Sequence, residues 1–481
     1  MQRSLYYIRS TKWLLPLLLT VCVACVYIVS IFGIIINVLL VGIIATISVF
    51  YVSFNYPRYN VGILLTAAYL LPILVRVFHL YEIPYVVVSE GLMLLMIFTL
   101  ILNGRISGWR STPGILLIIW LAWYVVELFN PAATSRLAGM LTIRSALLNM
   151  CGFFVMYSSV QSKREAFSFF KAWIVLSMLA AIYGIYQEFA GLPAHDDAWA
   201  NANEAIFNLL FTWGRLRKFS FFFSPTEFGL LMAYAGVTCF VFLFFKRFSQ
   251  QQKVFIAILM VILFWAMIYS GTRTASVMLP IGLIIFAIIS LNRKVLITVA
   301  GLSVVGVLIA LKSTRSAALF VMLSAFSSDD ASMNVRLTNQ QIIQSYIQEK
   351  PFGFGLGSTG ALGRKYSPQT FISTFPPDSE YVKIAIETGW LGLLLWCSIL
   401  AIVFGYGVRA YFRTPDRDWK DLLMALLCIL FMIIVTQYPQ EFVPSLFLLL
   451  SFVIGLIAKI SKLSALGIKN SPALQDSLEE F

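Results

Sequence analysis

Stretches of about twenty consecutive apolar residues, the length that carries an α-helix across a bilayer, recur throughout this chain and leave few folds open. They fall at 13–29, 32–54, 61–80, 84–103, 113–129, 143–160, 168–187, 225–245, 253–270, 275–291, 295–311, 380–407, 419–437 and 443–459. Helices satisfy their own backbone donors, as a lipid surrounding demands. Hydrophobic residues make up 60% of the 481 positions and charged ones only 12%. A soluble domain carries about 25% charge, so no soluble fold hides these faces. The pattern predicts an all-α polytopic membrane protein with about fourteen transmembrane helices. The first two stretches run almost together, which makes thirteen the rival count. The first stretch is long and lacks a small-residue cleavage site, so a retained span is expected rather than a cleaved leader.

Lysine and arginine orient the chain, because cytoplasmic loops collect them. With the N-terminus inside, the cytoplasmic segments hold Arg3, Arg9 and Lys12; Arg58; Arg105 and Arg110; Lys163 and Arg164; Lys246, Arg247 and Lys253. They continue with Arg293 and Lys294; Arg409, Arg413, Arg417 and Lys420; and Lys459, Lys462 and Lys469. Every inside loop is basic, so the net charge of +13 is mostly topological and no nucleic-acid partner is expected. The expected organisation places eleven helices in residues 1–311, with an outer loop at about 188–224. A large extracytoplasmic loop follows at 312–379, then three helices in 380–460 and a cytoplasmic tail at 461–481.

All six cysteines (Cys22, Cys25, Cys151, Cys239, Cys397 and Cys428) lie within these spans and read as small apolar packing residues. His79 and His195 have no ligand-spaced partners, so no protein metal site is expected. Neither outer segment is long enough to bury a core alone, so both must pack on the helix bundle. Within the larger one, Leu337, Ile343, Tyr346 and Ile347 share a face of a helix over 336–349, which predicts a helix lying on the membrane surface. It stops at Lys350-Pro351. The following FGFGLGSTG lacks the Gly-Lys-Ser/Thr of a phosphate-binding loop and reads as a tight turn that permits close packing.

Charge is scarce enough that its placement carries meaning. Arg273 sits in the short connection YSGTRTAS, on the face where positive charge is disfavoured. Arg215, Arg217 and Lys218 precede FSFFFSPTEFG at the mouth of the span beginning near 225, and Arg336 opens the surface helix. Asp378, Glu380 and Glu387 enter the span that begins at 380. Each has a simpler reading beside the functional one. Asp378 suits a helix N-cap, Arg273 can reach lipid headgroups, and Arg217 can be an ordinary loop charge. Glu387 can pair with Arg144 or Arg76. The run Phe219–Phe223 can stack sugars, line a prenyl groove or face lipid. Together, several arginines and a carboxylate at one face suit an anionic phosphate group, which arginine grips at two points.

At these residues the chain resembles the O-antigen ligase and polymerase superfamily of bacterial envelope glycan assembly. The resemblance rests on Arg217, Ser220, Phe222, Ser224 and Pro225, then on Ser270-Gly-Thr-Arg273. It continues with Arg336 opening a helix that ends in Pro351-Phe-Gly353-Phe-Gly355-Leu-Gly357. It closes with Asp378-Ser379-Glu380-Tyr381-Val382 and with Glu387, Gly389 and Gly392 at the family's E-x-G-x-x-G spacing. Ligases of the family usually have His-Asn where this chain has Asp378-Ser379, a departure that favours a polymerase of O-antigen, capsule or exopolysaccharide.

The resemblance implies a GT-C-like membrane glycosyltransferase in the bacterial plasma (inner) membrane. Its donor would be an undecaprenyl-pyrophosphate-linked oligosaccharide and its acceptor the growing glycan, with no cofactor. Membrane lipid surrounds it, and a flippase and a chain-length regulator are the implied protein partners. Asp378, Arg217 and Arg273 would be catalytic, with Arg336, Arg215, Glu380, Tyr381 and Glu387 at the substrate. The ligase stands as the alternative. A lipid-linked oligosaccharide transporter is the rival from another class, disfavoured because the informative charges gather at one face rather than at mid-membrane.

Overall fold

The computed structural model describes residues 42–81, 85–212, 214–301 and 331–469. Contacts divide the chain into two units, Met1–Pro57 and Arg58–Phe481. In the first, Gly42–Asn55 is helical and overlaps the expected 32–54 span; the expected 13–29 span and Cys22 and Cys25 lie outside the described residues.

Among the described residues, nine helices are long and apolar enough to cross a bilayer: Pro57–Val77, Arg136–Ser159, Lys163–Phe189, Pro225–Phe242, Gln250–Tyr269, Arg273–Ser290, Glu380–Arg413, Arg417–Thr436 and Pro444–Ala465. Gly42–Asn55, Val86–Leu102 and Thr112–Glu127 are shorter apolar helices. The expected 295–311 span is described only to residue 301, and it is helical that far. The protein is thus an all-α, multi-pass membrane protein.

The helices begin where side chains cap them. Ser111 accepts from the Gly114 N–H, Ser135 from Ala138, Ser162 from Glu165 and Asp416 from Trp419. Ser249 and Gln252 form a reciprocal capping box. Ser224 caps the Pro225–Phe242 helix, whose first position is a proline with no donor to lose. Pro225–Phe242, Arg417–Thr436 and Pro444–Ala465 are largely buried and form the centre. Gln250–Tyr269 turns Val254, Phe255, Ile258 and Val261 outward, the expected arrangement for a lipid-facing helix.

The two ends of the bundle differ in character. At one end Lys163 pairs with Asp416, Arg247 with Asp418 at 2.8 Å, and Lys459 bonds Gln161 at 3.0 Å. These join several of the loops whose basic residues read as cytoplasmic. The other end gathers residues 76, 196, 218–222, 269, 380 and 437–445 through direct bonds. This second end holds the candidate residues.

There the glycine-rich turn does structural service. The Glu380–Arg413 helix breaks at Gly389, with φ of 70° and ψ of −178°, a conformation open only to glycine. The turn inserts into the break. Phe354 N–H donates to Ile386 O at 2.8 Å and Gly355 N–H to Glu387 O at 3.1 Å, replacing helical bonds. A Cβ at Gly389 would strike the Pro351 carbonyl. The Ala331–Glu349 helix ends before Pro351, as the sequence indicates, but does not simply rest on the membrane. Ile343 and Ile347 pack against Ile372, Phe375 and Ile386 of the bundle end, while Leu337 and Tyr346 stay exposed. One apolar face is too narrow to serve both bundle and lipid, and the bundle takes it.

Candidate functional site

Arg217 follows a short hairpin in which Phe211–Thr212 pairs with Arg215–Leu216, and its backbone N–H donates to Leu210 O at 2.8 Å. The next residues are locked by a buried ion pair. Arg76, fully buried, donates from Nε to Asp196 Oδ1 at 2.8 Å. Its other nitrogens donate to the carbonyls of Ser220 (2.5 Å), Phe221 (3.2 Å) and Phe222 (2.6 Å). Asp196 also accepts from Tyr183 and from Gln187, each at 2.7 Å. A buried pair repays its desolvation only when its remaining lone pairs and protons find partners, and here the loop carbonyls serve Arg76 while Tyr183 and Gln187 serve Asp196. Ser220 sits at φ of 53° within this knot.

The aromatic run is therefore interior. Phe219, Phe221 and Phe222 are buried, with Phe219 edge-on to Trp199 at 4.9 Å, so they neither stack sugars nor face lipid. Sequence reasoning considered Arg76 only as a partner for Glu387. A lone arginine within an apolar span was itself the signal.

The knot presents Arg217 to the turn that joins Gln250–Tyr269 to Arg273–Ser290. Arg217 Nε donates to Ser270 O at 3.0 Å, and Nη2 to Thr272 Oγ1 at 2.9 Å and Thr226 Oγ1 at 3.3 Å. Gly271, at φ of 58°, lets the turn come this close, since a Cβ there would press on the Arg217 side chain. Thr226 belongs to the first turn of one helix and Thr272 directly precedes another. Two helix N-termini thus converge on one guanidinium, each favouring negative charge nearby.

Burial and the nearby Arg273 push the Arg217 guanidinium down to about 10. It remains charged at neutral pH, and an anion placed beside it would favour the charged form against both effects. Among the described residues no carboxylate pairs with Arg217. Arg215 differs, because it pairs with Glu188, which Lys218 also approaches at 3.5 Å.

Asp378 is not the helix cap the sequence allowed. Ser379 takes that place, accepting from the Val382 N–H at 3.4 Å and donating to Gln437 O at 3.1 Å. Asp378 stands just outside at φ of 48°, half-exposed, and its carboxylate accepts from Asn339 at 3.5 Å. Among the described residues no hydrogen bond joins it to Arg217. Position 336 lies one helical turn before Asn339 on the same helix; the Arg336 side chain lies outside the described residues. Glu380 is buried and accepts from the Phe442 N–H at 3.0 Å, while Tyr381 donates to Ile434 O at 2.9 Å, so both tie helices together.

Glu387 pairs with neither Arg144 nor Arg76. Arg144 lies 3.4 Å from Glu90 and Arg76 is taken by Asp196. Glu387 instead shares a cavity with Lys383, one turn earlier, which is held by Glu441 at 2.5 Å. Sequence reasoning passed over Lys383, Glu441 and Glu227. Glu227 is buried in the first turn after Thr226 and bonds Ser445.

Two adjacent cavities open among these groups. One, of about 130 Å³, is walled by Trp120, Tyr124, Trp396, Glu380 and Glu387; the other, of about 240 Å³, includes Glu227, Glu90 and Ser445. Ser145, Asn149, Lys383 and Phe447 line both.

No curated relative matches the chain. Residues 255–397 match the family model described as O-antigen ligase, a stretch that takes in Arg273, the glycine-rich turn, Asp378 and Glu387. That match, over about 30% of the chain, supports the resemblance to the O-antigen ligase and polymerase superfamily.

Proposed function

We propose that the protein polymerises lipid-linked oligosaccharide repeat units into O-antigen, capsule or exopolysaccharide at the outer face of the bacterial plasma membrane. The observation that supports this most is the convergence of two helix N-termini on Arg217, beside Arg273 and with no carboxylate partner for Arg217 among the described residues. This is the chemistry of a pyrophosphate cradle. An acceptor hydroxyl attacks the anomeric carbon of the donor sugar. The bond from that carbon to the pyrophosphate oxygen breaks, and its electron pair leaves with the lipid pyrophosphate. Arg217 and Arg273 stabilise the charge that grows on the leaving oxygen. Asp378 takes the hydroxyl proton, with Arg336 one turn from its neighbour Asn339 as the third cation. Arg215, Glu380 and Tyr381 border the substrate, fixed there by their bonds to Glu188, to the Phe442 N–H and to the Ile434 carbonyl. A flippase would deliver the donor and a chain-length regulator would set product size.

The second reading is ligation of finished glycan to a final acceptor, favoured by the description of the matching family model. Asp378→Asn in the source strain separates the two. A polymerase variant accumulates lipid-linked single repeat units, and mass analysis shows the longer lipid-linked chains gone. Long lipid-linked chains piling up instead would identify a ligase.

A further inference from the structure

The two cavities that meet at Lys383 have a chemistry unlike that of the arginine pair. Glu380, Glu387, Glu227 and Glu90 line them, and their one lining lysine is already neutralised by Glu441. An added phosphate would meet carboxylates there, so the pyrophosphate is excluded. Trp120 supplies an aromatic wall, with ring centroids 4.7 Å from Tyr124 and 4.8 Å from Trp396. Asn149 lines both cavities, and its amide makes no hydrogen bond to any described residue. An amide carries two donors and an acceptor, and this one is held open toward the space. Aromatic faces, carboxylate acceptors and an unengaged amide together complement a ring with apolar C–H faces and many hydroxyls.

Placement adds a second argument. Thr226 touches Arg217 while its neighbour Glu227 lines the larger cavity. Glu380 lines the smaller one, two residues from Asp378. Each cavity is thus lined by a residue one or two positions along the chain from the proposed leaving-group cradle or the proposed base. At about 130 and 240 Å³, the pair together reaches the lower end of the ~300–1,000 Å³ range of ligand pockets.

We propose that the cavities meeting at Lys383 form the acceptor pocket and hold a sugar ring without acidic groups, with Asn149 as its principal uncharged hydrogen-bonding partner. The proposal rests on the glycosyl-transfer reading for its meaning but makes its own binding claim.

Calorimetry with purified, full-length protein tests it. The probe is the lipid-free oligosaccharide released by mild acid from the source cell's lipid-linked repeat units. Asn149→Leu should weaken its binding about tenfold, the loss of one or two hydrogen bonds from a desolvated site. Ser145→Leu, at an exposed position that lines both cavities, should weaken it in the same direction without burdening the fold. Undecaprenyl pyrophosphate carrying no sugar should bind both variants as it binds the unaltered protein. Unchanged oligosaccharide affinity in both folded variants would overturn the proposal, as would absent binding to the unaltered protein. A parallel loss of undecaprenyl pyrophosphate affinity would also overturn it, by assigning the cavities to the prenyl chain. Normal glycan polymerisation beside unaltered oligosaccharide binding sinks the pocket alone. Absent polymerisation beside the expected binding losses sinks the polymerase alone.

Discussion

Arg217→Lys keeps the positive charge at position 217 and should still remove most activity. In the structure two of the guanidinium nitrogens are engaged. Nε meets Ser270 O at 3.0 Å, and Nη2 meets Thr272 Oγ1 at 2.9 Å and Thr226 Oγ1 at 3.3 Å. Nη1 has no acceptor among the described residues and is the nitrogen left for substrate. Lysine offers a single nitrogen on a flexible stem. That nitrogen either replaces the bonds to the turn or reaches the pyrophosphate, and it does not do both. Loss of one preorganised donor to a developing anion costs about 2.7–4 kcal/mol, or about 10²–10³ in kcat. The assay is single-turnover release of undecaprenyl pyrophosphate by purified protein, normalised to the folded fraction. A rate within about threefold of the unaltered protein, less than ~1 kcal/mol in the barrier, would refute the bridging of turn and pyrophosphate by Arg217 and leave it as a structural residue.

Three further outcomes follow from the same geometry. Gly389→Ala forces a side chain into a glycine-only conformation against the Pro351 carbonyl, so roughly 3 kcal/mol of strain should lower the melting temperature and abundance; normal stability would show that the turn does not insert as described. Asp196→Asn leaves Arg76 buried without its countercharge and should cost about 3–5 kcal/mol, seen as a lower melting temperature, whereas unchanged melting would mean the pair is dispensable. With an impermeant thiol reagent, a cysteine introduced at Thr374 should label in intact spheroplasts and one at Ser461 only after permeabilisation; labelling of Ser461 in intact spheroplasts would invert the proposed orientation.

Much of the helical framework was legible because the signals are local. Ser224-Pro225 announces its helix through a capping hydroxyl and a residue with no donor to lose, and the apolar run after it needs no tertiary knowledge. The glycine-rich turn was legible as a turn, but not its insertion at Gly389, since that depends on which carbonyls the break leaves open. Asp378 and Ser379 are both good capping residues, and composition does not choose between neighbours; the bond from Ser379 to Gln437 O does. Arg217 and Arg273 were both singled out, yet their proximity comes from the Arg76–Asp196 knot, whose members lie far apart in sequence. Lys383 and Glu441 escaped because a lysine near a helix start looks like an ordinary solvated charge until the partner is seen.

On the proposed mechanism this chain alone joins lipid-linked repeat units and Asp378 takes the hydroxyl proton. Purified protein given only undecaprenyl-pyrophosphate-linked repeat units, with chelator present and no other acceptor, tests it most directly. Because Ser379 supplies the cap, Asp378→Asn leaves the helix start untouched, and asparagine tolerates the φ of 48° found there. The unaltered protein should produce a ladder of lengthening lipid-linked chains, and a well-folded Asp378→Asn protein should leave single units. No ladder from the unaltered protein would contradict the polymerase assignment, and a ladder at normal rate from the variant would contradict the role of Asp378.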